Sequence, residues 1–164
     1  MIKILGEVMI ICSGIGFGFS FSSKVKRHIR DIEAINHMFD EIIMMMKFNA
    51  VTFKDLIIHL RNCPHIRSFK FLDVDLSAFD IRESILKSIN NNFDNLNKDE
   101  ADQLYSFFLQ LGLSDLDGQL LMAEKYHEFF QLRLENLREE GLKKCRLYNS
   151  LGVLGGAFIA VIFV

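Results

Sequence analysis

Residues 116–137 read LDGQLLMAEKYHEFFQLRLENL. Leu116, Leu120, Ala123, His127, Phe130, Leu134 and Leu137 recur at alternating steps of four and three, a coiled-coil-like seam over about three heptads. Glu124, Lys125, Glu128, Arg133 and Glu135 cover the other faces, followed by Arg138, Glu139 and Glu140. Nothing breaks the pattern, and a helix from Leu116 to Lys144 extends about 44 Å. It runs on into Leu147–Val164, 18 residues without a charge. One helix thus begins among charged residues and finishes in a wholly apolar stretch.

The segments upstream carry the same helical period. Ser114 with Asp117 is the cap pattern that opens this long helix, and Gly112 is the expected C-cap of the preceding one. That preceding helix starts at Asn97 with Glu100 three residues on, and its buried face is Ala101, Leu104, Phe107, Phe108 and Leu111. Ser77 is expected to cap a helix reaching about Asn91, with Phe79, Ile81, Ile85, Leu86 and Ile89 inward. Residues 65–76 suggest a short helix and a turn. Thr52 and Asp55 cap a helix with Phe53, Leu56, Ile57 and Leu60 on its apolar face, stopped by Asn62-Cys63-Pro64. Residues 24–49 form a long amphipathic helix through Val25, Ile29, Ile32, Ile35, Phe39, Ile42, Ile43 and Met46. The expected fold is all-α, with an antiparallel helical bundle over residues 24–146.

The bundle is flanked by two apolar ends. Ile4 to Phe21 is 18 residues with one charge, Glu7, and matches Leu147–Val164 in length. Each covers roughly 27 Å as a helix, near the thickness of a hydrocarbon core. Residues 1–23 and 147–164 therefore read as N- and C-terminal transmembrane helices. A cleaved signal peptide competes for the first, since Lys3 precedes it and Ser20-Phe21-Ser22 is loosely small-x-small. The cluster Lys24, Lys26, Arg27 and Arg30 opposes translocation. A buried core helix competes for the second, but glycines at 152, 155 and 156 make a poor one.

Basic residues flank both segments on the inner side, Lys143, Lys144 and Arg146 beside the second, against Lys3 alone outside. By the positive-inside rule the middle region faces the cytosol, giving a two-pass hairpin. Within the ends, Gly14, Gly16 and Gly18, and Gly152, Gly155 and Gly156, read as close-packing positions between membrane helices or between copies of the chain. Helix flexibility is the plainer alternative.

The mean hydropathy of +0.20 averages two apolar ends with a charged middle. Setting Lys3 and Glu7 aside leaves 18 Lys+Arg and 20 Asp+Glu in residues 24–146, a near balance that provides no polyanion-binding footprint and excludes nucleic acid as the expected partner. Cys12, Cys63 and Cys145 are odd in number and scattered, which fits free thiols rather than a disulfide framework. The five histidines make no HxxxH or HExxH, and Cys63 stands too near His65 for those two to hold a metal alone. His127, on the seam, reads as a hydrogen-bonded packing residue. No nucleophile elbow or phosphate loop occurs. Catalytic residues, metal and cofactor are all expected to be none. The junction Leu111-Gly112-Leu113-Ser114-Asp115-Leu116-Asp117 is first a capped turn; Ser114, Asp115 and Asp117 are also the candidate partner-facing residues.

Three stretches together resemble the stage III sporulation protein AB family: Met1-Ile2-Lys3-Ile4-Leu5-Gly6, the Leu111–Asp115 junction, and Leu147-Tyr148-Asn149-Ser150-Leu151-Gly152-Val153-Leu154-Gly155-Gly156. Asn149 stands where members commonly carry Arg, and Glu7 replaces a small or apolar residue. The resemblance implies similarity to the cytoplasmic domains of the inner-membrane platform protein of type II secretion and type IV pilus machines. It implies a place in the mother-cell membrane around the forespore, within the channel complex that endospore formation requires. The implied partners are the secretion-type ATPase, stage III sporulation protein AA, and other membrane components of the complex; the apolar ends and their glycines add membrane lipid and a second copy of the chain as expected partners. Without the resemblance, the residues describe a generic membrane-anchored helical interaction protein or, with a cleaved leader, a secreted helical one.

Overall fold

The computed structural model describes residues 2–48, 52–66, 69–76, 80–92 and 96–162; the side chains of residues 2–19 and 21, of 90–92 and of several residues beyond Gly141 are not among those described. Every regular element in this set is helical: α1 (Ile2–Phe48), α2 (Phe53–Asn62), a 3₁₀ turn (Lys70–Leu72), α3 (Ile81–Asn92), α4 (Lys98–Gln110) and α5 (Leu116–Ile162). The chain forms two compact units. One runs from Asp31 to Leu134; the other takes the chain up to Arg30 and from Glu135 onward.

The unit Asp31–Leu134 is an antiparallel helical bundle. Along α1 and α5, Asn36 reaches Phe130, Asp40 reaches His127 and Lys47 reaches Glu124, so rising numbers meet falling ones. The same order relates α4 to α5, through Glu100 with Arg133 and Gln110 with Tyr126. The period-3.6 faces read from the sequence make the core. Ile32, Ile35, Met38, Phe39 and Ile42 of α1 are fully buried, as are Ile57, Leu60, Phe71, Ile85, Leu104, Phe107, Phe108, Ala123 and Phe130. Phe39 stands at its centre, edge-on to Phe107 with ring centroids 4.8 Å apart and stacked on Phe130 at 5.5 Å. Such pairs add specificity of angle to the burial of about 150–250 Å² per ring.

Asn36 is buried among these residues. Its amide donates to the carbonyls of Ile32 at 3.0 Å and Phe130 at 3.1 Å, tying α1 to α5, while Oδ1 has no protein partner.

Capping settles the starts of α2 and α4 as expected. The Asp55 N–H donates to Thr52 Oγ1, and the Thr52 hydroxyl donates back to Asp55 Oδ2. Asn97 and Glu100 close a full capping box. Two expectations need correction. The cap of α3 is Asp80, whose Oδ1 accepts from the Glu83 N–H at 3.0 Å; Ser77 and Phe79 lie outside the described residues. The cap of α5 is Asp115 rather than Ser114 with Asp117, because Asp115 Oδ1 accepts from the Gly118 N–H at 3.2 Å. A carboxylate at a helix start also gains from the macrodipole, which a hydroxyl does not. On the seam, Leu116 is 51% exposed, since it sits in the first turn of α5 before the helix reaches cover.

In the second unit, α1 and α5 approach at Gly141. A Cβ built there would lie 2.8 Å from Ile29 Cδ1 and 3.1 Å from Val25 Cγ1, so the glycine's lack of a side chain is what allows this spacing. Backbone helix continues through Ile4–Phe21 in α1 and through Leu147–Ile162 in α5. Among the described residues no helix is long and apolar enough to cross a membrane; the side chains of residues 4–19, and many of those after Leu151, are outside that set. Gly14, Gly16, Gly18, Gly152 and Gly156 fall there too. At Gly155, which is described, a Cβ would meet no atom within 4 Å.

Candidate interaction surface

The α4–α5 junction is held from several sides. Leu111 ends α4 with its N–H on the Phe107 carbonyl, and Gly112 follows with φ +82°. That left-handed conformation favours glycine. Arg82 Nη2 donates to the Leu111 carbonyl at 2.6 Å. The Gly112 N–H donates to Gln119 Oε1 at 3.1 Å, and Gln119 Nε2 donates to the Ser114 carbonyl at 2.7 Å. The turn is therefore braced by α3 on one side and by the first turns of α5 on the other.

What this brace presents is apolar. Leu113 and Leu121 are each 70% exposed, and Leu109 and Leu116 are also exposed. Ser114, Asp115 and Asp117, the residues expected to face a partner, are exposed among these leucines. Beside them α4 and α5 enclose a groove of about 540 Å³, lined by Gln103, Gln110, Leu121, Met122, Tyr126 and Phe129 among others. Gln110 Nε2 donates to Tyr126 Oη at 3.1 Å across it. Single exposed leucines are ordinary, but here Leu121 lines the groove and Leu113 and Leu116 bracket Ser114 and Asp115 in the chain, and apolar exposure gathered at one junction marks an interaction surface. Sequence reasoning found the turn and its acids. It placed Leu116 on the apolar seam and gave no surface role to Leu109, Leu113 or Leu121.

A second cluster escaped the sequence reading. His59 lies on α2 and Cys63, four residues on, is its C-cap, while Glu41 faces them from α1. His59 Nε2 is 2.8 Å from Glu41 Oε2 and 3.6 Å from Cys63 Sγ. One ligand atom from each of the three can be chosen so that all lie within 4.8 Å of one another. Burial pushes the Cys63 thiol above its ordinary value, and the Glu41 charge adds to this. The signal was present as H-x₃-C, but the partner on α1 is distant in sequence.

His127 behaves as expected, stacked on Phe39 at 6.2 Å and 3.4 Å from Asp40 Oδ1. In the run Met44-Met45-Met46 the last residue is buried and the first exposed, so the run divides between core and surface.

The family model described as stage III sporulation protein AB matches residues 3–164. The chain belongs to that family. No curated protein and no solved structure gives a match. Membership places the protein in sporulation, and it covers α1 and α5 as fully as the bundle between them.

Proposed function

We propose that the protein is a non-enzymatic membrane platform of the channel complex between mother cell and forespore. In this reading residues 1–23 and 147–164 anchor it in the mother-cell membrane as a two-pass hairpin. The bundle over residues 24–146 faces the cytosol and docks the secretion-type ATPase, stage III sporulation protein AA. Family membership supports the setting. The unbroken helices α1 and α5, each entering an 18-residue stretch with at most one charge, support the anchoring. The observation that carries the docking role is the exposed leucine rim around Ser114, Asp115 and Asp117, held by a braced turn beside an open groove.

Such a surface offers apolar area at its centre and carboxylates at its edge, the usual anatomy of a protein interface. The test is co-purification of the full chain with the ATPase from detergent-solubilised membranes. Leu113→Asp combined with Leu121→Asp should abolish it while helical content stays unchanged, because both side chains are already in solvent. Undiminished co-purification with that variant would remove the leucine rim from the proposal. Absence of any association with the native chain would overturn the docking role itself.

A further inference from the structure

We propose that Glu41, His59 and Cys63 form a binding site for a divalent cation of the zinc class. Glu41 comes from α1, His59 from α2 and Cys63 from its C-terminal end. All belong to the unit Asp31–Leu134. The donor set is one thiolate, one imidazole and one carboxylate, which suits a borderline-soft ion and disfavours magnesium or calcium.

The geometry is close to what such an ion needs. Zinc–sulfur and zinc–nitrogen bonds of about 2.3 and 2.05 Å at a tetrahedral angle put the two donor atoms about 3.6 Å apart. Cys63 Sγ and His59 Nε2 are separated by 3.6 Å. His59 Nε2 and Glu41 Oε2, at 2.8 Å, are hydrogen-bonded and need to separate by about half an ångström to admit the ion. Both side chains are about one-third exposed, 37% and 33%, so they have room to make that adjustment. Three protein ligands leave a fourth position for water.

The proton balance is simple. Glu41 binds as the carboxylate. His59 binds as neutral imidazole, its proton carried on Nδ1 so that the Nε2 lone pair meets the metal. Cys63 loses its thiol proton to solvent, one proton per ion bound. Two negative ligands against a dication leave the site neutral, which removes the repulsion between thiolate and Glu41 that opposes ionisation in the free protein. The bound ion ties the end of α2 to α1. His59 to Cys63 is a single helical turn, so the two ligands need no loop rearrangement to converge.

The experiment titrates the full chain in detergent micelles with cobalt(II), whose thiolate charge-transfer absorption reports a sulfur ligand directly. The native chain should develop this band at one equivalent, and zinc should bleach it by displacement. Cys63→Ser should abolish the band, His59→Gln should weaken binding by about tenfold or more, and a Cys12→Ser/Cys145→Ser double variant should keep it. Both single variants should retain native helical content, since the cap bond at Cys63 is made by its backbone N–H on the Leu60 carbonyl. Lack of a band in the native chain, or a band of full intensity in Cys63→Ser, overturns the site.

Discussion

Arg133 Nε donates to Glu100 Oε1 at 2.6 Å, from a half-buried guanidinium to a carboxylate with 1% of its side chain exposed. The same carboxylate accepts from the Asn97 N–H at 2.9 Å and from the Asn97 amide at 3.1 Å. One acid therefore caps α4 and fastens α4 to α5. A buried carboxylate costs several kcal/mol to desolvate and is tolerated only when its lone pairs are taken up in this way.

Arg133→Ala should destabilise the chain by about 3 kcal/mol, the lower end of the range for removing one partner of a buried pair, because Asn97 still solvates Glu100. A Glu100→Gln change added to it should recover part of the loss, since no unpaired charge then remains. Urea unfolding followed by circular dichroism of the two variants checks both signs. A double variant weaker than Arg133→Ala would show that Glu100 acts mainly as a cap.

Gly112→Ala should cost about 1–2 kcal/mol. An L side chain pays roughly that to hold a left-handed conformation, and the new Cβ would stand 3.1 Å from Arg82 Nη2. The loss should appear as a lower melting temperature with native helical content retained, because the strain is confined to the turn.

Gly141→Leu and Gly155→Leu should behave differently. At Gly141 the side chain enters Ile29 and Val25, and overpacking of this kind costs about 1–3 kcal/mol. At Gly155 a Cβ meets no atom within 4 Å, so thermal stability should hold, and on the proposed membrane-platform reading assembly should fall. Melting temperature in detergent checks the first, and cross-linking between copies or with the complex checks the second. Equal thermal losses at both positions would contradict the contrast.

Phe39→Ala should be the most damaging single truncation in the bundle, at about 3–5 kcal/mol. Its ring meets Phe107, Phe130 and His127 together, so no one neighbour can collapse into the space. Near-ultraviolet circular dichroism should lose its aromatic signal before far-ultraviolet helicity falls. Unchanged unfolding would show that the ring cluster is not the keystone of the core.

Helix capping was legible where the chemistry is local and unambiguous. Asn97 with Glu100 and Thr52 with Asp55 each need only a three-residue spacing, and both form. At the start of α5, Ser114 and Asp115 are adjacent and both can cap a helix. Only the course of the chain after Gly112 decides that Asp115 takes the cap while the Ser114 carbonyl receives Gln119.

From sequence alone, the all-α class, the inward face of each helix and the family follow, because all three are written in short-range periodicity and in local motifs. Leu116, on the expected seam, became surface rather than core only through tertiary structure, since exposure depends on which neighbours arrive. The pairing of Arg133 with Glu100, and of Glu41 with His59 and Cys63, was likewise decided there. Residues 33 and 18 positions apart meet only when packing brings their helices side by side, and no local pattern encodes that distance.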